Sequence, residues 1–215
     1  MTIACLHTAE RNIAAFEEAA ERMGLAAGTL RHTVRPDLLL AAELAGGMTA
    51  EIEAETRSVL LMLGQEADGV LLTCSTLGPS ADFSATANAT PTLRADGALA
   101  QLATAAGGSV VVLCASESTI APTTKLFNEA ARQTSAKVEI RMVAGAWDLF
   151  KVGEITAYLE AIAAASDEAY ASGASVVALA QASMVDASRF VKGPQKPLAS
   201  PAAGLQAIVD QMSRG

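Results

Sequence analysis

Apolar and polar positions fall in blocks along this chain. Short apolar runs at residues 2–7, 70–72, 109–114 and 175–180 lack the in–out alternation of a half-solvated sheet and predict strands buried on both faces. Residues 30–34 and 137–143 mix polar and apolar positions; in the second, Val138, Ile140 and Met142 alternate with Glu139 and Arg141, the two-residue period of a strand. Between them lie stretches of helical period. Residues 12–23 place Ile13, Phe16, Ala20 and Met23 on one side, with Gly24 as the stop. Pro36 opens a helix to Leu44, Thr49 caps another over 50–65, and further helices are predicted near 81–87 and over 99–105, 119–133, 155–171 and 201–212. Pro122 is placed in the first turn of its helix, where a missing N–H is harmless. Residues 145–150, with the only tryptophan, read as a loop anchored by Trp147 and Phe150.

Strand, helix, strand alternation with buried strands predicts parallel βαβ units, hence an α/β fold. Residues 66–74 and 171–181 repeat one pattern: helix end, small polar turn, apolar strand, polar residue. The chain therefore divides into two similar α/β lobes with mostly parallel sheets and the active site in the cleft between them. The first spans 1–93, with the last helix (201–215) packing back on it; the second spans 94–200.

Composition narrows the function. The 215 residues are 51% apolar but only 4% aromatic, which suits close helix packing on a sheet, and the net charge of −8 leaves no basic stripe for nucleic acid. No apolar run reaches membrane-spanning length, and Met1 leads into an apolar run without the basic segment of a signal peptide. Three cysteines with no paired spacing fit a reducing cytoplasm. With no CxxC or HExxH and only His7 and His32, no metal site is expected.

The candidate chemistry gathers where strands end, the place open α/β sheets bind ligands. After Leu72 come Thr73, Cys74, Ser75 and Thr76, then the breakers Gly78 and Pro79. Cys74 is the candidate catalytic thiol, and a helix N-terminus nearby is expected to lower its pKa. His7 and Asn12 follow the first strand, Thr119 leads a helix after the 109–114 strand, and Gln181 and Ser183 follow the last strand. Cys5 and Cys114, inside strands, read as core, and Arg94 with Asp96 as a local ion pair.

These residues carry a resemblance. Thr73-Cys74-Ser75-Thr76 resembles the first cysteine motif of the aspartate/glutamate racemase superfamily, which includes hydantoin racemases and maleate isomerases. Leu179-Ala180-Gln181-Ala182-Ser183-Met184 is similar to its second motif, and the 111–115 strand followed by Thr119 to its mid-chain strand and helix. The resemblance implies pseudo-twofold lobes, no cofactor, a small carboxylate substrate and a homo-oligomer, often a dimer. Family racemases use two cysteines; here the second position is Gln181, whose amide cannot act as acid or base near neutrality. What remains is a cofactor-independent isomerase or lyase with one thiol, Cys74, and His7, Asn12, Ser75, Thr76, Thr119, Gln181 and Ser183 holding the substrate. The thiol has three routes: addition to a double bond, protonation of an enolate, or one-face proton exchange. The alternatives are a binding protein on the same scaffold, or a racemase in which His7 or Asp96 replaces the missing cysteine.

Overall fold

The computed structural model describes residues 1–82 and 90–214. The helix predicted near 81–87 lies largely outside them, although residues 79–82 are helical. Two units are present, Met1–Ala98 with Pro201–Gly215, and Leu99–Ser200. Each contains one four-stranded, all-parallel sheet. Two α/β lobes of similar architecture are what the strand–helix alternation predicts.

In the first unit the strands are β1 (Ile3–His7), β2 (Leu30–Val34), β3 (Gly69–Leu72) and β4 (Thr92–Arg94), ordered β2-β1-β3-β4. β1 and β3 are buried along their whole length, because helices cover both sheet faces. α2 (Pro36–Leu44) and α3 (Ala50–Gly64) pack Leu38, Ala42, Ile52, Leu60 and Leu63 on Ala4, Leu6, Val70 and Leu72. On the other face lies α1 (Asn12–Arg22), whose Phe16 meets His7 edge-on at 5.3 Å. α1 stops because Gly24 takes φ 74°, which lets the Leu25 N–H reach the Ala20 carbonyl and the Gly24 N–H reach Glu21. Thr49 caps α3 by accepting from the Ile52 N–H at 3.4 Å.

The second unit repeats the order. β5 (Gly108–Cys114), β6 (Ala136–Met142), β7 (Val176–Leu179) and β8 (Leu198–Ala199) run β6-β5-β7-β8. Its core joins Val111, Leu113, Val177 and Leu179 to Tyr158, Leu159 and Ile162 of a long helix, residues Ile155–Ala171. Thr73 N–H donates to the Leu6 carbonyl at 3.0 Å, and Ala180 N–H to the Leu113 carbonyl at 3.0 Å, so the same strand-end tie occurs in both sheets.

Several elements differ from the sequence expectation. β4 and β8 are three and two residues long, too short to carry a period, and form by pairing with β3 and β7. α4 (Ala95–Thr104) starts four residues earlier than predicted, directly from β4. α5 spans Glu117–Ala131, with extended Ser116 preceding it, so Pro122, which has no N–H to donate, lies in the second turn rather than the first. Residues Ala146–Lys151 form a short helix, α6, rather than a loop; its Trp147 and Phe150 rings stack at 4.7 Å and pack on the core. The long helix is α7, and the chain closes with α8 (Ser200–Met212), which belongs to the first unit.

α8 approaches the first sheet through missing side chains. A Cβ at Gly204 would lie 2.8 Å from the Ala95 Cβ and 2.9 Å from its Cα. We expect Gly204→Ala to destabilise the chain by about 1–3 kcal/mol through overpacking against backbone; a fall in the denaturation midpoint at unchanged m-value checks this.

Candidate active site

Cys74 lies two residues beyond the end of β3, in a turn whose Thr73, Cys74, Ser75 and Thr76 are all buried. Thr73 sets the turn's position: both its N–H and its hydroxyl donate to the Leu6 carbonyl at 3.0 Å. The adjacent loop after β1 then supplies a hydroxyl the sequence reading passed over. Thr8, buried, hydrogen-bonds the Cys74 sulfur, as do the N–H groups of Leu77 and Thr76. Register made Thr8 findable: β1 and β3 pair Leu6 with Leu72, which sets Thr8 level with Cys74 two residues further on.

The expected lowering of the Cys74 pKa is corrected by its surroundings. Cys74 is 9% exposed and belongs to the apolar cluster of Leu6, Leu72 and Leu77. Burial pushes the thiol above its ordinary value, outweighing the hydrogen bonds from Thr8, Leu77 and Thr76 that favour a thiolate; Asp96 adds to the rise. The resting group is a neutral thiol. Cys5 and Cys114 are fully buried in strands, and burial carries each to about 12.

Asn12 does not cap α1. Arg11 holds that position, and the Asn12 Oδ1 is buried without a hydrogen-bond partner among the described residues. A buried acceptor left open is costly and marks a place where a ligand could bond. His7 is differently placed: its Nδ1 meets the Thr73 hydroxyl and its Nε2 meets the His32 Nδ1, both at 2.9 Å, within the first unit. Burial, then the neighbouring His32, pushes His7 down to about 3, so it is a neutral imidazole.

Arg94 and Asp96 form the expected ion pair, and it is buried and two-pronged, with Nε–Oδ1 at 2.8 Å and Nη2–Oδ2 at 2.9 Å; Asp82 adds a third bond at 3.1 Å. Arg94 also explains Gly78, where a Cβ would fall 2.2 Å from its Nη2. The pair therefore moulds the turn that carries Cys74.

In the second unit Gln181 stands two residues beyond β7, the place Cys74 has beyond β3. Its Oε1 accepts from the N–H groups of Ala115 (2.7 Å) and Ser116 (3.3 Å), joining the end of β7 to the turn after β5. Ser183 shares a hydrogen bond with Tyr158, a residue missed in the sequence, at 2.9 Å. Thr119 is buried in the first turn of α5, its N–H on the Ser116 carbonyl. Thr8 and residues 73–76 thus come together on the first unit, to which Asn12 also belongs, and Gln181, Ser183 and Thr119 lie on the second.

Likeness to solved structures concerns the fold. The chain superposes on aspartate racemase from Picrophilus torridus with TM-score 0.73 at 14% identity, covering 99% of this chain and 94% of that one. Allantoin racemase from Pseudomonas fluorescens gives 0.66 at 14%, covering 100% and 92%, and maleate isomerase from Pseudomonas putida S16 gives 0.58 at 17%, covering 99% and 93%. No family model and no curated protein sequence matches the chain. No helix among the described residues is long and apolar enough to cross a membrane. The fold is that of the aspartate/glutamate racemase and maleate isomerase structures.

The role of Gln181 is testable. Gln181→Ala removes the acceptor for two backbone N–H groups, and we expect a loss of about 1–3 kcal/mol in stability. Gln181→Glu keeps an acceptor oxygen and is expected to retain most of it, measured by chemical denaturation of both variants.

Proposed function

We propose that this chain is a cofactor-independent isomerase or lyase of the aspartate/glutamate racemase superfamily, acting on a small carboxylate through the single thiol of Cys74. One observation carries the reading: Cys74 is set beyond a buried parallel strand, under the Thr8 hydroxyl and two N–H groups, in a chain with the fold of racemases and a maleate isomerase. Gln181, in the equivalent place, cannot carry a proton and is engaged with backbone, which argues against a two-thiol racemase.

The neutral state of the thiol selects among the routes open to it. Addition to a double bond needs a thiolate, which burial disfavours. A neutral S–H is suited to give its proton to one face of an enolate or carbanion beside the substrate carboxylate. The C–C bond to a departing carboxylate breaks, CO2 leaves its electron pair on carbon, that pair takes the thiol proton, and the thiolate left behind is reprotonated from solvent. Thr8 and the N–H groups of Thr76 and Leu77 stabilise the thiolate for that interval. Ser75, Thr76 and Asn12 are proposed to hold the substrate, the hydroxyls and the Asn12 Nδ2 by donating to its carboxylate, while the Asn12 Oδ1, which has no protein partner among the described residues, is an acceptor suited to a substrate N–H or O–H.

Cys74→Ala is expected to abolish turnover in a screen of dicarboxylates and enolisable acids while leaving the protein folded; an active variant would refute the proposal. The pH profile discriminates further. A thiol acting as acid is competent below its folded pKa and lost above it. Since that pKa is raised, kcat/KM should stay level through neutrality and fall only on the alkaline side of about 8.5, the ordinary thiol value. A rate that climbs with pH through that range would instead indicate an attacking thiolate.

A further inference from the structure

On the α1 side of the first sheet, away from the Cys74 cluster, three metal-ligating side chains converge. Cys5 and His7 are alternate residues of β1 and so share a sheet face, and the parallel register sets His32 of β2 directly beside Cys5. The Cys5 Sγ and the ring nitrogens of His7 and His32 lie within 4.8 Å of one another. Spaced motifs do not reveal this group, because the strand pairing rather than the chain brings it together.

The surrounding hydrogen bonds fit ligation. His7 turns Nε2 toward His32 Nδ1 at 2.9 Å, and each ring's other nitrogen has a partner pointing the opposite way. His7 Nδ1 meets the Thr73 oxygen at 2.9 Å, while the Thr73 hydroxyl donates onward to the Leu6 carbonyl at 3.0 Å. His32 Nε2 meets the Glu17 carboxylate at 2.8 Å. With N–H on those two outer nitrogens, the inner nitrogens both present lone pairs to one point, a place for a cation. A proton could serve. A metal ion uses the sulfur as well, and holding the outer histidine nitrogen on a carboxylate or hydroxyl is how proteins orient metal-binding imidazoles.

We propose that Cys5, His7 and His32 form a site for a borderline-soft divalent metal ion of the zinc type. One thiolate and two imidazoles are the donors such ions take; a tetrahedral ion needs ligand atoms about 3.3–3.7 Å apart, so the two ring nitrogens, now 2.9 Å apart, open slightly while the Cys5 sulfur comes into range to complete the set. Binding forms one metal–sulfur and two metal–nitrogen bonds, and the Cys5 thiol proton leaves to solvent. His32, at the partly exposed edge with its side chain 14% accessible, gives the route in. The ion ties β1 to β2 and, through His7 and Thr73, steadies the turn that bears Cys74. It takes no part in the chemistry proposed at that thiol.

Cobalt(II) titration of the chelator-treated protein tests this. One Co(II) per chain should bind with a thiolate-to-cobalt charge-transfer band in the near ultraviolet, and Zn(II) should displace it. Cys5→Ala should remove the band, while Cys74→Ala and Cys114→Ala should keep it. Glu17→Gln, which leaves every ligand in place, should weaken binding about 10–100-fold. A folded wild-type protein without the band overturns the proposal, as does a band that survives Cys5→Ala. Should Cys5→Ala not fold, the partly exposed His32→Ala decides: Co(II) affinity equal to wild type overturns the proposal.

Discussion

The Leu6 carbonyl holds this candidate site in place. It accepts both the N–H and the hydroxyl of Thr73, so the ends of β1 and β3 are locked level with each other. From that lock the neighbouring pairs follow: His7 reaches the Thr73 oxygen, and Thr8 reaches the Cys74 sulfur. The second sheet repeats the backbone half of the tie, Ala180 on Leu113, but lacks the hydroxyl. There Gln181 supplies the side-chain link instead, bonding across to Ala115 and Ser116. One strand end is thus built to present a thiol, and its counterpart to hold its own backbone.

Burial then decides what the thiol can be. Three hydrogen bonds from Thr8, Leu77 and Thr76 favour a thiolate, and in an exposed turn they would lower the pKa. Set among Leu6, Leu72 and Leu77, the sulfur is removed from water, and desolvation wins. The buried Arg94–Asp96 pair shapes the same turn: Arg94 occupies the space that a side chain at Gly78 would need, and Asp96 places a carboxylate near enough to disfavour a second negative charge on sulfur.

How much of this was legible follows from range. Strands buried on both faces and helices with strong stop signals, such as β1, β3, α2 and α7, are written locally and read well. β4 and β8 are set by pairing with a neighbour and leave no period behind. Cys74 stood out because a strand end, hydroxyls and a Gly-Pro turn are all adjacent in sequence. Thr8, the Cys5–His7–His32 cluster and the occupation of Gln181 by backbone depend on register between distant segments, which spacing alone does not express. The expected pKa of Cys74 had the wrong sign for a related reason: hydrogen-bond donors are visible in a turn sequence, whereas the depth of burial is not.

The measurement that tests the central claim most directly is the pH dependence of alkylation at each cysteine of the folded protein, resolved by peptide mass spectrometry. A buried neutral thiol at the site predicts that Cys74 reacts with an apparent pKa above the ordinary value of about 8.5, yet ahead of the fully buried Cys5 and Cys114. Rapid modification of Cys74 with an apparent pKa well below about 7 would mean a preformed thiolate and contradict the account.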